Sequence, residues 1–365
     1  MRIGVPAEIK SNEHRVGLVP SSVRELTAKG HDVYVETGAG RGISASDANY
    51  AESGAEILSS AEAVFQRAQM IVKVKEPQPV EWTHLTSDHI LFTYLHLAAD
   101  ADQAVGLMES GCSAIAYETV TDDQGGLPLL APMSEVAGRL SVIEAAACLR
   151  AHEGGRGLLV SGVPGTKAAD VVIIGGGIVG ANAARLAVGM GARVTIFDLS
   201  LPRLRYLSDI FGPAVVTRYS TDAELAEALL SADIVIGAVL IPGASAPRLV
   251  SRAHLKQMKP GAVLVDVAID QGGCFETSRP TTHQDPTYLV DEIVHYCVAN
   301  MPGAVPLTSS EALNNSTLPF VLELADKGMA ALEADSHLAA GLNVHQGKLV
   351  HQAVIESLNH LTAAE

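Results

Sequence analysis

Four polar residues far apart in the chain have types that together suit a small carboxylic acid: Arg15, Lys75, His96 and Asp270. A guanidinium grips a carboxylate through two parallel hydrogen bonds, and an ammonium adds a point charge. An imidazole exchanges protons near neutral pH. Each residue also has an ordinary reading. Arg15 could pair with Glu8 or Glu13. A lysine at a strand end is usually solvated, the reading expected for Lys73 unless it pairs with a carboxylate. A histidine beside Tyr94 is more often structural, and Asp270 before Gln-Gly-Gly could merely shape a turn.

A second kind of chemistry is local. Residues 171–180 read VVIIGGGIVG, in which Gly175, Gly177 and Gly180 satisfy G-x-G-x-x-G. An apolar strand precedes the glycines and a small-residue helix follows, the context that gives the motif meaning. Gly175 permits a tight turn, Gly177 lets the backbone approach a pyrophosphate, and Gly180 lets helix pack on strand. The helix N-terminus then offers free N–H groups and a positive dipole to the phosphates. The next strand, RVTIFD, ends at Asp198, at about the 20-residue distance at which an acid receives the ribose hydroxyls. A carboxylate there favours NAD over NADP, although Arg203 and Arg205 stand close enough to accommodate a 2′-phosphate.

The elements that must position these groups read as alternating strands and helices. RIGVPAEI, HDVYVETGAG, MIVKVKEP, ILFTYLHLA and SAIAYETV look like strands, and VRELTAKG looks like a helix closed by Gly30. A helix over 134–151 follows, with Ser134 as its expected cap. A second series then runs DVVIIGG, RVTIFD, AVVTRYS, DIVIGAVL, AVLVDVAID and YCVAN. Residues 309–361 read as helices joined by loops. Such alternation implies crossover units and mainly parallel sheets. The expected class is α/β, with two doubly wound Rossmann-like domains separated by a cleft. Residues 1–130 with 304–365 form a discontinuous substrate domain, and 131–303 the NAD-binding domain. Ligands in such sheets sit beyond the carboxyl ends of the strands. On this reading Lys75, His96 and Asp270 close their strands, and Arg15 follows the first.

Composition limits the alternatives. The chain has 365 residues, enough for about two domains. Its 25 basic and 41 acidic residues give a net charge of −16, which argues against nucleic-acid binding. No apolar run reaches the ~18 residues of a membrane helix. The scattered Cys112, Cys148, Cys274 and Cys297 fit a cytoplasmic protein with reduced thiols. There is no G-x-S-x-G elbow, no G-x-x-x-x-G-K-S/T loop and no H-E-x-x-H helix.

Several longer stretches resemble one family. They are MRIGVPAEIKSNEHRVGLVP, IVKVKEP, ILFTYLHLA, LAPMSEVAGR, GGRGLLVSGVPG, KPGAVLVDVAIDQGGCFETSRPTTH and YCVANMPGAVP. Over essentially its whole length the chain resembles the L-alanine dehydrogenase family. The soluble domain of proton-translocating transhydrogenase is similar in architecture but matches less well at His96. The resemblance implies reversible oxidative deamination of L-alanine with NAD to pyruvate and ammonium. It implies Arg15 and Lys75 as substrate ligands, with His96 and Asp270 as catalytic residues. For the cofactor it points to Ser134, Ile178, Asp198, Arg203, Ser220, Val239, Leu240, Val267, Ala268, Ile269, Asp270, Arg279, Val298, Ala299, Asn300 and Met301. It suggests a homohexamer. No metal is expected, since Lys327 stands one turn beyond Glu323. The alternatives are a transhydrogenase-type hydride carrier between nucleotides and a non-catalytic NAD-binding protein.

Overall fold

Short apolar runs build two sheets. A computed structural model describes residues 1–239 and 246–358. The chain divides into two compact units, Met1–Met133 with Val305–Glu365, and Ser134–Ala304.

The first unit opens with β1 (Arg2–Val5), β2 (Asp32–Glu36), β3 (Glu56–Leu58), β4 (Met70–Val72), β5 (Ile90–Thr93) and β6 (Ser113–Ala116). These strands are all parallel, in the order β3-β2-β1-β4-β5-β6. Strands β4, β5 and β6 are buried along their whole length. That is why they read as continuous apolar runs rather than alternating ones. The connecting helices start where the sequence offers caps. Ser46, Ser60 and Asp100 each accept the N–H three residues on. Helix Pro20–Ala28 begins with proline and is followed by Gly30 at φ +86°.

The second unit carries β7 (Asp170–Ile174), β8 (Arg193–Asp198), β9 (Val215–Tyr219), β10 (Ile234–Gly237), β11 (Val263–Asp266), β12 (Thr287–Val290) and β13 (Ile293–Tyr296). Their order is β12-β13-β11-β10-β7-β8-β9, parallel except for the β12–β13 pair. The chain then returns to the first sheet. After helix Pro306–Lys327, β14 (Leu342–His345) pairs antiparallel with β6, and β15 (Lys348–Leu349) pairs antiparallel with β14.

Both sheets are doubly wound, and in each the order of the parallel strands reverses once. In the first the chain runs outward through β1, β2 and β3 and restarts at β4 on the other side of β1. In the second it runs through β7, β8 and β9 and restarts at β10 beside β7. The connections leaving the carboxyl ends of the two strands at such a reversal run in opposite directions and leave a crevice.

Several elements differ from the sequence reading. The strand expected over MIVKVKEP stops at Val72, and that over ILFTYLHLA stops at Thr93. AVLVDVAID stops at Asp266 and continues as the 3₁₀ turn Val267–Gln271. Of YCVAN only Tyr296 is in a strand, as the last residue of β13. The helix placed over 134–151 is Ala131–Cys148, so Ser134 stands inside its first turn and is not its cap. The helical reading of 309–361 misses the β14–β15 hairpin. No helix among the described residues is long and apolar enough to cross a membrane.

Candidate active site

In the first unit, three adjacent strands deliver three of the expected residues to one edge. Arg15 lies in the loop after β1. Lys75 lies beyond β4, and His96 beyond β5. All three strands are parallel, so all three residues leave at carboxyl ends, around the β1/β4 reversal.

Arg15 is 2% exposed. Its Nε donates to Glu13 Oε1 at 2.7 Å and its Nη2 to Glu13 Oε2 at 2.6 Å. Nη1 donates to the Met133 sulfur at 3.0 Å. Burial opposes the guanidinium charge, but Glu13 outweighs it and holds the group firmly protonated. The ordinary pairing with Glu13 therefore exists, and it orients the guanidinium as well as neutralising it.

Lys73 and Lys75, read from the sequence as members of one strand face, part company once the ladder ends. Lys73 is fully buried between Glu81 (2.8 Å) and Glu8 (3.2 Å). The expectation of a solvated Lys73 fails, and its carboxylate alternative describes it. Lys75 is half-buried, and its carbonyl accepts from Thr93 Oγ1 at 3.0 Å. Its charge is felt at Glu76. Burial would raise that carboxyl, but Lys75 and Lys10 hold it below its ordinary value.

His96 is not a strand residue. It takes a left-handed conformation (φ +53°), uncommon for a residue with a Cβ. Its backbone N–H donates to Glu118 Oε1 at 2.6 Å, and Leu95 N–H donates to the same carboxylate. The ring lies parallel to Tyr94, centroids 5.8 Å apart, with Nδ1 4.0 Å from Glu118 Oε1. Tyr94 is pinned by its hydroxyl to the Leu129 carbonyl and is packed edge-on by Tyr117. The imidazole thus stands half-exposed on a rigid aromatic floor, with one nitrogen toward a carboxylate. Sequence reading missed Glu118. Its only signal was an acid near the end of the run SAIAYETV, two residues beyond β6.

In the second unit the glycine turn follows β7, at the β7/β10 reversal. Gly175 has φ +101°, and a Cβ there would lie 2.6 Å from the Ala238 carbonyl oxygen. A Cβ on Gly180 would lie 1.8 Å from the Gly175 carbonyl oxygen. These two glycines are required by close approach. Gly177 differs, since a Cβ there would meet nothing within 4 Å. It is the N-cap of helix Ile178–Gly189, which has no side-chain cap and no acid in its first turn. Uncapped N–H groups beside open space suit a phosphate. Asp198, closing β8, accepts from Gly176 N–H at 2.7 Å and Ser200 N–H at 2.8 Å. A carboxylate accepts about four hydrogen bonds, which leaves capacity for ribose hydroxyls. Arg203 donates to the carbonyls of Gly176 and Gly177 and lies over the Tyr206 ring, so its charge braces the turn.

The other expected cofactor residues mostly follow strand ends of the same sheet. Ser220 follows β9 and Val239 follows β10, while Leu240 lies outside the described residues. Val267, Ala268, Ile269 and Asp270 form the turn after β11, with Asp270 exposed. That turn is set by buried Asp266, which accepts from the N–H groups of Ala268, Cys274 and Phe275 and from the Ser278 hydroxyl. Arg279 is exposed and stacks on Tyr288, 4.1 Å from the ring centre. Val298, Ala299, Asn300 and Met301 follow β13, with Asn300 at φ +61°. Ser134 stands apart, on helix Ala131–Cys148. Among the described residues no group of three or more His, Cys, Asp or Glu is placed to hold a metal. Glu323 pairs with Lys327 at 2.9 Å.

Family models match both halves. That for the alanine dehydrogenase/PNT N-terminal domain covers residues 4–137, and that for the C-terminal domain covers 141–352. The chain belongs to the alanine dehydrogenase/PNT family. An alanine dehydrogenase of Halomonas elongata is 56% identical over 100% of this chain and 99% of its own. One from Mycolicibacterium smegmatis is 55% identical over 98% of this chain and 97% of its own. A solved L-alanine dehydrogenase superposes with a TM-score of 0.96 at 54% identity, covering 99% of this chain and all of that one. A transhydrogenase from Sinorhizobium meliloti gives 0.82 at 26% identity, covering 97% of this chain and all of that one.

Proposed function

We propose that the protein catalyses the reversible oxidative deamination of L-alanine. L-Alanine, NAD⁺ and water give pyruvate, ammonium, NADH and a proton. The reading is carried by the convergence of Arg15, Lys75 and His96 at three adjacent strand ends, and full-length similarity to alanine dehydrogenases supports it. The first unit is the substrate domain and the second the nucleotide domain. The fit to NAD rests on the uncapped helix at Gly177 and on Asp198, whose charge would repel a 2′-phosphate.

Bound NAD⁺ supplies the hydride acceptor. Arg15 and Lys75 hold the substrate carboxylate, which fixes the position of Cα. Such orientation is where an enzyme lowers the barrier most cheaply. As the C–H bond breaks, the amine lone pair forms an iminium on the substrate. His96 takes a proton from water, the hydroxide adds to that carbon, and the resulting carbinolamine collapses with loss of ammonia. Glu118 faces ring Nδ1 at 4.0 Å, which leaves the other ring nitrogen for this transfer. Asp270 acts beside the reacting amine and water. The working enzyme is a homohexamer acting in the cytoplasm, a reading carried by family likeness alone.

One spectrophotometric assay tests the proposal. NADH should form with L-alanine, much more slowly with glycine or serine, and not without an amino acid. Hydride exchange with a second nicotinamide nucleotide and indifference to alanine would instead favour a transhydrogenase-type carrier. Nucleotide binding without turnover would leave only a binding protein.

A further inference from the structure

We propose that Glu8 is a positioning residue for Lys75 and that the buried Lys73 and Glu81 lock it in that role. The inference rests on the reading of Lys75 as a ligand of the substrate carboxylate. Strand β4 ends at Val72, and the last main-chain bonds to the neighbouring strand run from Lys73 N–H to the Phe92 carbonyl (3.2 Å) and from Tyr94 N–H to the Val74 carbonyl (3.3 Å), one residue short of Lys75. Side chains take over from there. Glu8 Oε1 accepts from Val74 N–H at 2.6 Å and from Lys75 N–H at 3.4 Å. From the neighbouring strand, Thr93 Oγ1 donates to the Lys75 carbonyl at 3.0 Å. Lys75 is thereby held by both of its main-chain polar groups.

The other oxygen of Glu8 explains why the clamp does not swing away. Glu8 Oε2 pairs with Lys73 Nζ at 3.2 Å, and Lys73 Nζ reaches Glu81 Oε1 at 2.8 Å. Glu81 Oε2 accepts from Gln78 N–H at 2.7 Å, which fixes the far end of the same loop. The Lys73 carbonyl is held in turn by the Tyr117 hydroxyl at 3.1 Å. The three charged side chains are exposed by 0%, 2% and 3% for Lys73, Glu8 and Glu81. A buried ion pair adds little net stability over an apolar replacement, and its attested use is to fix one geometry among several. Burial works against the Lys73 ammonium, but its two carboxylates prevail and keep it charged. Lysine carries its charge on a flexible four-carbon stem, so fixing the main chain beneath it decides where the ammonium can reach.

The test compares Glu8→Asp, Glu8→Gln and Lys75→Ala in reductive amination, with KM for pyruvate, KM for NADH and Tm measured for each. Aspartate keeps a charge for Lys73 but is one methylene too short to serve both Lys73 and the amides of Val74 and Lys75. Its pyruvate KM should rise about tenfold while its NADH KM stays within about twofold. Glutamine keeps an acceptor for the amides but unbalances Lys73. It should lower Tm more than aspartate does, with a pyruvate KM closer to the wild type. A purely structural Glu8 predicts instead that both KM values are unchanged and that lost activity follows lost Tm. A Glu8→Asp enzyme with wild-type pyruvate KM, or a Glu8→Gln enzyme whose two KM values rise together, overturns the proposal. If Lys75→Ala leaves the pyruvate KM unchanged, the carboxylate reading falls and this inference falls with it. If Lys75→Ala raises that KM and Glu8→Asp does not, only the inference about Glu8 falls.

Discussion

Glu118 does two things for His96, and they can be separated. Its carboxylate holds the main chain in a left-handed turn, and it faces ring Nδ1 at 4.0 Å. A non-glycine residue in that conformation costs on the order of 1 kcal/mol or more, so the turn persists only because the surroundings impose it. The ring is presented rather than packed away, which suits proton exchange with water. His96→Ala should lower kcat by about 10²–10⁴-fold, the range of lost general acid–base catalysis. NADH binding, followed by fluorescence titration, should be unchanged, since the proposed nucleotide residues are on the other unit. Weakened NADH binding without a loss of kcat would remove His96 from the chemistry.

The elements show why some of this was legible in sequence and some was not. The glycine turn, its helix and Asp198 lie within about thirty residues, and each feature depends on neighbours in the chain. Local grammar of that kind survives in a one-dimensional reading. Gly175→Ala should therefore cost about 1–3 kcal/mol in a denaturant titration, because φ +101° and the Ala238 carbonyl leave no room for a methyl group. It should also weaken NADH binding. The ends of β4 and β5 were misplaced for the opposite reason. Lys73 is decided by Glu8, 65 residues earlier, and the turn at His96 by Glu118, 22 residues later. No periodicity records such pairings. The β14–β15 hairpin did leave a local trace. Gln346 (φ +49°) and Gly347 (φ +78°) form its two-residue turn, but glutamine is not one of the residues that usually mark that turn.

On the scale of the whole molecule, one contribution to acid sensitivity comes from a histidine buried as a neutral species. His295 is fully buried, with its ring between the Ile293 carbonyl and the Thr277 hydroxyl. Burial lowers its pKa below the ordinary 6.5. The unfolded chain then binds a proton that the folded one refuses, so this contribution is full above pH 6.5 and is lost as pH falls below it. Tm should decline on acidification, and His295→Gln should flatten that decline. An identical slope in the variant would assign the acid sensitivity elsewhere.

The sheet begun at Arg2 is finished only by residues 342–349, after the entire second unit has been made. A growing chain on the ribosome therefore carries β6 as an unprotected strand edge, open to pairing with other chains, while residues 134–304 are already able to collapse. Stalled nascent chains ending near residue 330 should yield a protease-resistant second unit and a digestible first one. That edge is covered only once residues 342–345 have paired with β6.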